Sequence, residues 1–438
     1  MNPLRCFFAI CLIMAPALAG AGRLPVFPGA EGFGSDTPAG RGGVVHRVTN
    51  LNAAGPGSLQ WAIEDNRPRT IVFEVGGTID ISAIGAWGLM IRYPFVTIAG
   101  QTAPSPGITI KGGPLIVETH DVLMQHLRVR PGDAEGSGCA KGPANCDALA
   151  IVDLREEKDV YNIVIDHCSF SWAIDEVVST WYPGVRDVTI SNCIIGEALN
   201  DSLHPKGRHG YGMIIGPYSK NISLIRNLMA HNAQRNPLLS EGSETMLLNN
   251  VVYNYQIATS ARAIGIKTTI VGNVYIEGPD TRPLSPVLLY SAEKGSQCYL
   301  RDNVLVKKGR REHPIAKIKP DVAIISSKPP LWTSPLTILA GNRTEPHVLD
   351  HVGARPRDRD ATDRRIIDHV KQRRGRIVDS QKDVGGWHET PLAQRSLPLP
   401  EHPGKDDDQN GYIQLEEWLH DEAEKVTVNP SHDALTRQ

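Results

Sequence analysis

Acidic and basic side chains recur in four neighbouring segments in the middle of the chain. Their titratable residues are Asp147, Asp175, Glu176, His204, Lys206, Arg208, His209 and Arg235. Carboxylates beside cations suit a hard metal ion and a base that act together on an acidic sugar. A surface network of salt bridges is the alternative, with Arg235 paired to a carboxylate such as Glu241, and the spacing alone leaves both interpretations open.

A second set of oxygen ligands lies near the C-terminus, where residues 406–417 read DDDQNGYIQLEE. This stretch matches the calcium-loop pattern D-x-[DN]-x-[DN]-G-x5-E at every position. The predicted calcium ligands are Asp406, Asp408, Asn410, the carbonyl of Tyr412, and Glu417. Because HPG precedes the loop in place of an incoming helix, the motif is half of an EF-hand. One unpaired loop predicts a structural calcium clip rather than a sensor.

These side chains need a scaffold, and six β-rich strings between residues 162 and 306 supply a repeat. When the strings are aligned, the residues that superpose are His167, Asn192, Asn227, Asn250, Asn273 and Asn303. A step near 23 residues with variable insertions predicts one coil of a parallel β-helix per repeat. The Asn side chains would then form a hydrogen-bonded ladder inside a turn. An antiparallel β-sandwich is the alternative.

The composition favours a turn-rich, all-β chain over a helical bundle. Its 438 residues include 41 Gly and 32 Pro, and aromatic residues make up only 6%. The formal net charge of −2 gives no overall basic field, which argues against nucleic-acid binding through bulk charge. An acidic substrate would need a local basic cleft or a bridging cation.

The first 21 residues have the pattern of a signal peptide. Arg5 precedes an apolar run over 6–17, and small residues follow as a cleavage site. The run is too short to span a membrane, although an anchor is the alternative. We therefore expect a secreted monomer, extracellular or periplasmic, with no membrane contact after signal removal. In such an oxidising compartment Cys139 and Cys146 could pair.

The composition changes after about residue 345, which suggests four parts. They are a signal peptide (1–21), a parallel β-helix domain (22–345), a basic and acidic helical and loop segment packed on the solenoid (346–400), and an EF-hand-like calcium loop (401–425). In the third part, Thr362 or Asp363 is the predicted cap of a helix whose apolar residues 366, 367 and 370 form one stripe.

Seven motifs in order resemble the secreted pectate lyases of polysaccharide lyase family 1, in the branch with a C-terminal EF-hand-like loop. The motifs are FPGAEGFG (27–34), GRGG (40–43), VTNLNAAGPGSLQWAI (48–63), IVFEVGGTI (71–79), TIAGQTAPSPGITIKGG (97–113), VIDHCSFSWAIDE (164–176) and AQRNPLL (233–239). The resemblance covers nearly all of residues 27–420. It implies a right-handed parallel β-helix and Ca²⁺-dependent β-elimination of polygalacturonate (pectin) to unsaturated oligogalacturonides.

The resemblance also implies roles for individual residues. Arg235 matches the family's catalytic arginine, and Asp147 and Glu176 match ligands of the substrate-site calcium. Lys206 lies in the region of the substrate-binding lysine, with His209 as a rival for that role. Because arginine is normally protonated, its use as a base would favour alkaline operation.

The chain departs from the family pattern at three positions. Thr180 and Asn145 stand where the family often has further Asp ligands, and Ser240 stands where a second arginine is common. Asp175 is predicted to replace a missing metal ligand. The departures leave two alternatives to a pectate lyase, namely a non-catalytic β-helix that binds acidic polysaccharide and a lyase for another uronate polymer.

Overall fold

The computed structural model describes residues 24–157, 159–261, 264–289, 295–312, 316–318, 323–388 and 391–427. The predicted signal peptide, residues 1–21, lies outside the described residues. Within the described ranges, strands follow one another at short intervals, and helices are few and short except near the C-terminus.

In chain order the strands are β1 Val44–Val48, β2 Arg69–Phe73, β3 Val75–Asp80, β4 Leu89–Ile91, β5 Val96–Ala99, β6 Ile108–Lys111, β7 Leu115–Val117, β8 Val122–Gln125, β9 Leu127–Arg130, β10 Leu149–Val152, β11 Val160–Asp166, β12 Ser169–Ser171, β13 Glu176–Trp181, β14 Val185–Ser191, β15 Ile194–Gly196, β16 Tyr211–Ile215, β17 Lys220–Ile225, β18 Leu228–Ala230, β19 Leu238–Leu239, β20 Glu244–Leu248, β21 Val251–Tyr253, β22 Thr259–Ala261, β23 Lys267–Val271, β24 Val274–Ile276, β25 Val287–Leu289, β26 Ser296–Arg301, β27 Val304–Lys307, β28 Arg310–Glu312, β29 Ala316–Ile318, β30 Ala323–Ile325 and β31 Ala393–Gln394. The α-helices are α1 Leu59–Ile63, α2 Gly138–Lys141, α3 Gly341–His351, α4 Ala361–Gln372 and α5 Gln414–Thr427.

Three long sheets run along one solenoid, and most coils contribute one strand to each. Sheet 1 has the order β1-β2-β5-β8-β11-β14-β17-β20-β23-β26-β30, and sheet 2 runs from β4 through β7, β10, β13, β16, β19, β22 and β25 to β29. Sheet 3 runs from β3 through β6, β9, β12, β15, β18, β21 and β24 to β27, with β31 and β28 added antiparallel at its two edges. All other pairs are parallel, so the predicted parallel β-helix is confirmed and the antiparallel β-sandwich is wrong.

An asparagine ladder lies inside the solenoid, but the predicted alignment of its first two members is wrong. Asn192 is level with Arg226, because Ser191 pairs with Ile225. The residues that share the ladder position are Cys168, Cys193, Asn227, Asn250, Asn273 and Asn303. Asn192 and Asn249, just before the ladder, have φ of 51° and 54°. Because Asn favours this left-handed region, it occurs at the residue before the ladder as well as at the ladder position itself. The sequence strings alone therefore do not tell these two positions apart.

The ladder satisfies buried polar groups from coil to coil. The Oδ1 atom of Asn250 accepts hydrogen bonds from the backbone N and the Nδ2 of Asn227, at 2.9 and 3.0 Å. Asn273 accepts the same pair of bonds from Asn250, both at 2.9 Å. At the end of the ladder, Asn227 accepts from the backbone N of Cys193 at 2.9 Å. These contacts fix the register of adjacent coils, since each amide requires its neighbour.

The C-terminal helices pack against the outside of the solenoid. Val348 and Leu349 of α3 and Ile366 of α4 are buried against Leu228 and Val251 of sheet 3. The side chain of Asp360 accepts a hydrogen bond from the backbone N of residue 363 and caps α4. The prediction that Thr362 or Asp363 caps this helix is therefore wrong.

Asp363 does not cap α4 but binds side chains of the solenoid. It is fully buried, and its carboxylate lies 2.7 Å from Arg130 Nη2 and accepts a hydrogen bond from the Ser169 hydroxyl at 2.7 Å. The sequence places both aspartates near the helix start, and Arg130 contacts both carboxylates. What distinguishes Asp363 is its place beside the Ser169 hydroxyl, which the sequence does not show.

A disulfide joins Cys139 to Cys146, as the short Gly/Pro loop between them allows. None of the described helices combines the length and the apolar character that crossing a membrane would require.

Candidate active site

Three charged positions line up on sheet 2 because of its strand register. Leu149 pairs with Val178, so Asp147, just before β10, is level with Glu176 at the start of β13. Glu176 pairs with Tyr211, the first residue of β16. Tyr211 bridges to Gln234, the residue before Arg235. The sheet therefore brings Asp147, Glu176 and Arg235 together from three separate coils.

These residues line a cleft of about 550 Å³ on the outer face of sheet 2, called here the sheet-2 cleft. Its lining residues are Trp87, Ile116, Ala144, Asn145, Asp147, Ala150, Val152, Leu154, Asp175, Glu176, Ser179, Trp181, Tyr182, Lys206, His209, Ile214 and Arg235. The cleft thus collects every residue that the sequence predicted for catalysis, substrate binding and the substrate-site metal. Arg208 instead faces Asp201, at 3.1 Å.

Arg235 is held by a carboxylate and an aromatic ring. Its Nη1 forms an ion pair with Glu176, and its Cζ lies 3.9 Å from the centre of the Tyr211 ring. The proposed alternative partner, Glu241, accepts a hydrogen bond from the Tyr218 hydroxyl at 2.6 Å. The cation–π contact and the ion pair together aim the guanidinium at the carboxylates of the cleft.

Asp147 is buried and surrounded by groups that fix its orientation. Its Oδ1 accepts a hydrogen bond from the backbone N of Glu176 at 3.2 Å, and its Oδ2 accepts one from the Ser179 hydroxyl. Burial raises the pKa of Asp147 well above its ordinary value, and the nearby charge of Asp175 raises it further.

One oxygen each of Asp147, Asp175 and Glu176 lie within 4.8 Å of one another. Such a set of converging carboxylates is costly without a counter-charge, and oxygen donors are what Ca²⁺ prefers. The donor set therefore fits a hard divalent cation.

Asp175 also faces two histidines of the insertion between β15 and β16. Its Oδ1 lies 2.8 Å from His209 Nε2 and 3.7 Å from His204 Nε2, and the two imidazole rings stack at 3.6 Å. The backbone N of Lys206 donates to His204 Nδ1 at 3.2 Å. The neutral His204 ring then carries its proton on Nε2, and that buried nitrogen has no hydrogen-bond partner among the described residues.

The two residues predicted to bind substrate occupy different positions. Lys206 is exposed at the rim of the sheet-2 cleft, while His209 is buried against Asp175 and the Tyr211 ring, whose centre is 4.0 Å away. Tyr211 therefore lies between His209 and Arg235, a role that sequence reasoning missed. The signal that would have found it is its pairing with Glu176 across a long insertion.

The predicted calcium loop lies on another face of the solenoid. The Oδ2 of Asp406 accepts a hydrogen bond from the backbone N of Gly411 at 2.9 Å, and Gly411 has φ of 97°. Glu417 Oε1 accepts from the side chain of Asn410 at 2.9 Å. The Oδ1 of Asp406 is buried and has no hydrogen-bond partner among the described residues, which fits a bound cation. Calcium binding by this loop stays a prediction.

Sequence comparison relates the chain to fungal pectate lyases. No family model matches it. It is 36% identical over 263 residues to a probable pectate lyase C of Aspergillus flavus, covering 59% of this chain and 56% of that protein. A probable pectate lyase C of Emericella nidulans is 34% identical over 282 residues, covering 64% of this chain and 59% of that protein. The chain thus spans a little over half the length of the curated relatives it matches.

Solved structures show the same fold at low sequence identity. The cedar pollen allergen jun a 1 matches with a TM-score of 0.54 at 18% identity, covering 73% of this chain and 91% of that one. A pectate lyase from Bacillus sp. N165, solved with trigalacturonate, matches with a TM-score of 0.52 at 17% identity, covering 74% and 98%. The branch with a C-terminal EF-hand-like loop stays a prediction, whereas the resemblance to pectate lyases is confirmed: the chain is related in sequence to them and shares their parallel β-helix fold.

Proposed function

We propose that the chain is a calcium-dependent pectate lyase that cleaves polygalacturonate by β-elimination and releases unsaturated oligogalacturonides. The observation that carries this proposal is the strand register that brings Asp147, Glu176 and Arg235 to one cleft, with Tyr211 on the coil between Glu176 and Arg235. The fungal relatives named pectate lyase, and the trigalacturonate bound to the Bacillus enzyme, support the same substrate class.

β-Elimination removes the proton α to the uronate carboxylate and breaks the glycosidic bond at the β-position. Asp147, Glu176 and Asp175 would hold Ca²⁺ by their carboxylates. When bound, calcium neutralises the uronate carboxylate and the negative charge that develops on it. Ser179 orients Asp147 for this task through its hydroxyl hydrogen bond.

Arg235 is the proposed base. Its side chain is 23% exposed, and the Tyr211 ring supports the guanidinium from one side. Because the guanidinium is already paired with Glu176, a uronate that enters the cleft must compete with this ion pair. The proton leaves an arginine more readily at high pH, so we expect turnover to rise under alkaline conditions.

Lys206 is the proposed substrate-binding residue, and His209, its predicted rival for that role, is given a different one. The exposed ammonium of Lys206 at the rim can pair with a uronate carboxylate that protrudes from the cleft. His209 is tied to Asp175 by its Nε2. We therefore assign it a positioning role that keeps Asp175 beside Glu176.

Substrate profiling tests the proposal against its two alternatives. Polygalacturonate, methylated pectin and alginate are each incubated with calcium or with a chelator, and the ultraviolet absorbance of the new conjugated double bond is followed. We expect product from polygalacturonate that disappears with the chelator. Binding without product would identify a non-catalytic β-helix, and product from alginate alone would identify a lyase for another uronate polymer.

We also propose that the protein acts outside the cytoplasm as a monomer, without nucleic-acid or membrane partners. The Cys139–Cys146 disulfide supports export to an oxidising compartment. The division into a solenoid (22–345), a packed segment (346–400) and a calcium loop (401–425) remains part of this proposal.

A further inference from the structure

The floor of the sheet-2 cleft is a single row of outward-facing residues, one per strand. Strand pairing makes Met90, Ile116, Ala150, Ser179 and Ile214 level with one another. Adjacent strands are about 4.8 Å apart, so a polysaccharide along the solenoid axis crosses one member of this row per strand. The side chains of this row are therefore the ones that a polysaccharide in the cleft would contact, one after another.

Ser179 is the polar member of this row, between Ala150 and Ile214. Ser179 donates to Asp147 and belongs to the charged centre of the cleft. On its N-terminal side, Met90, Ile116 and Ala150 form an apolar cluster with Val152. We call these four residues the apolar floor.

Exposed aromatic side chains flank the apolar floor. Trp87 and Trp181 line the sheet-2 cleft and are 54% and 38% exposed. Trp87 also lines an adjoining cavity of about 270 Å³ with Met90 and Arg92, so the groove continues towards the N-terminal edge of sheet 2. Large exposed tryptophans beside an apolar floor indicate a binding surface, because they would otherwise lie against water at a cost.

The cations of the sheet-2 cleft lie at its other end. Lys206 and Arg235 come from coils on the C-terminal side of Ser179. Arg92 of the adjoining cavity has its Nε 3.9 Å from a carboxylate oxygen of Glu118. Arg155 lies 3.6 Å from the same Glu118, so both cations beside the apolar floor already face a carboxylate. A free uronate carboxylate over the apolar floor would lose water and would have to compete with Glu118 for a counter-ion, which is costly. A uronate whose carboxylate is esterified carries no charge and adds a methyl group that the floor can bury.

We propose that the apolar floor with Trp87 and Trp181 binds methyl-esterified galacturonate residues of the polymer, while the carboxylates and Arg235 act on an unesterified residue next to them. This rests on the proposed function for the class of polymer. It assigns to the enzyme a preference for partly esterified pectin over polygalacturonate. The groove is continuous with the proposed catalytic centre, so both kinds of residue belong to one bound chain.

Binding is measured without turnover, by tryptophan fluorescence, with trigalacturonate, its methyl ester and a neutral galactan trimer as probes. We expect the ester to bind tightest, and Trp87→Ala and Trp181→Ala each to weaken ester binding by about fivefold while changing trigalacturonate binding less. Trp332→Ala is the matched control, because Trp332 is 47% exposed but lines a cavity beside Tyr299 of sheet 1. Since each variant removes a fluorophore, calorimetry repeats the comparison.

A charge-introducing variant tests the same point in the opposite direction. Ala150→Lys places an ammonium in the apolar floor, and we expect it to reverse the preference towards trigalacturonate. Tighter binding of trigalacturonate to the wild type, equal binding of the galactan trimer and the ester, or equal losses for both galacturonates in the tryptophan variants would overturn the proposal. A complete lack of lyase product on every polymer would contradict the proposed function instead, and these binding results would still stand.

Discussion

Arg235 combines an ion pair, a ring contact and an unusual backbone conformation in one residue. Its φ is 59°, in the left-handed region that non-glycine residues enter rarely and often at functional sites. The ion pair to Glu176 and the contact with Tyr211 offset part of that cost. A guanidinium held in this way has a fixed position in the cleft, unlike that of a freely solvated surface arginine.

We expect Arg235→Lys to keep the fold and most of the substrate affinity but to lose most of kcat. Lysine retains the charge, yet its single ammonium cannot match the planar guanidinium beside the ring and the carboxylate. An interaction made only in the transition state lowers kcat with little change in KM. Steady-state kinetics on polygalacturonate at alkaline pH and saturating calcium test this, with Arg208→Lys as the exposed control. A near wild-type kcat would show that Arg235 is not the base.

His126 is a buried titratable group whose charge state matters for stability. It is fully buried, and its Nδ1 donates to the carbonyl of Ala354 at 2.7 Å. Burial, and then the neighbouring His167, lower the pKa of His126 to about 3. In the unfolded chain His126 takes up a proton near pH 6.5, but in the folded chain it does so only near pH 3. The contribution of neutral His126 to the free energy of unfolding is therefore fully present above pH 6.5 and is lost as the pH drops towards 3.

We expect His126→Asn to flatten this dependence by up to about 1.4 kcal/mol per pH unit between pH 6.5 and 3. Asn suits the site, because His126 has φ of 58° and Asn192 and Asn249 occupy the equivalent place in other coils. Urea unfolding at several pH values measures the slope, and His420→Asn on the surface of α5 is the control. Parallel curves for wild type and His126→Asn would refute the assignment.

At the residue scale, the sequence predicted the charged centre of the cleft but not its surroundings. Motif matches identified Asp147, Glu176 and Arg235, because their chemistry is visible in the residue types. Tyr211 and Trp181 were missed, because the face of a residue depends on register across insertions of variable length. That register is set by strand pairing and not by local spacing.

At the scale of single elements, the asparagine ladder shows which repeats the sequence could resolve. From Asn227 onward the predicted alignment agrees with the strand pairing. In these coils, which are 23 or 30 residues apart, an asparagine occupies the ladder position each time. In the earlier coils a cysteine fills the ladder position. A thiol is small enough to fit at that position. The sequence alignment used the asparagine one residue earlier, Asn192, and was therefore shifted by one residue.

Removal of one ladder amide should weaken the solenoid strongly. Asn250→Ala deletes two bonds accepted from Asn227 and leaves that buried backbone N–H without its partner. We expect a loss of about 2–4 kcal/mol in the free energy of unfolding. Denaturant unfolding measures it, and Asn52→Ala in an exposed loop should change stability by less than about 0.5 kcal/mol. Equal effects of the two substitutions would mean that the ladder amides contribute little.

At the scale of the whole molecule, the two predicted calcium sites lie on different sheets. Leu415 and Leu419 of α5 are buried against Val72 and Ala99 of sheet 1, whereas the sheet-2 cleft lies on another sheet. Glu416 of the same helix lies 2.7 Å from Arg41 near the start of the solenoid. Helix α5, which begins within the predicted calcium loop, therefore packs against the first coils of the solenoid, away from the proposed chemistry.

This separation predicts that calcium at the loop affects stability and not turnover. We expect Glu417→Gln to lower the Tm in calcium by about 5 °C, because a ligand that binds only the folded state stabilises it by mass action. Without calcium the Tm of the variant should match that of the wild type. Glu424→Gln, an exposed carboxylate on the same helix, should leave both values unchanged. Since neither variant touches sheet 2, kcat on polygalacturonate should stay near wild type, and a loss of kcat in folded Glu417→Gln would show that the loop communicates with the cleft.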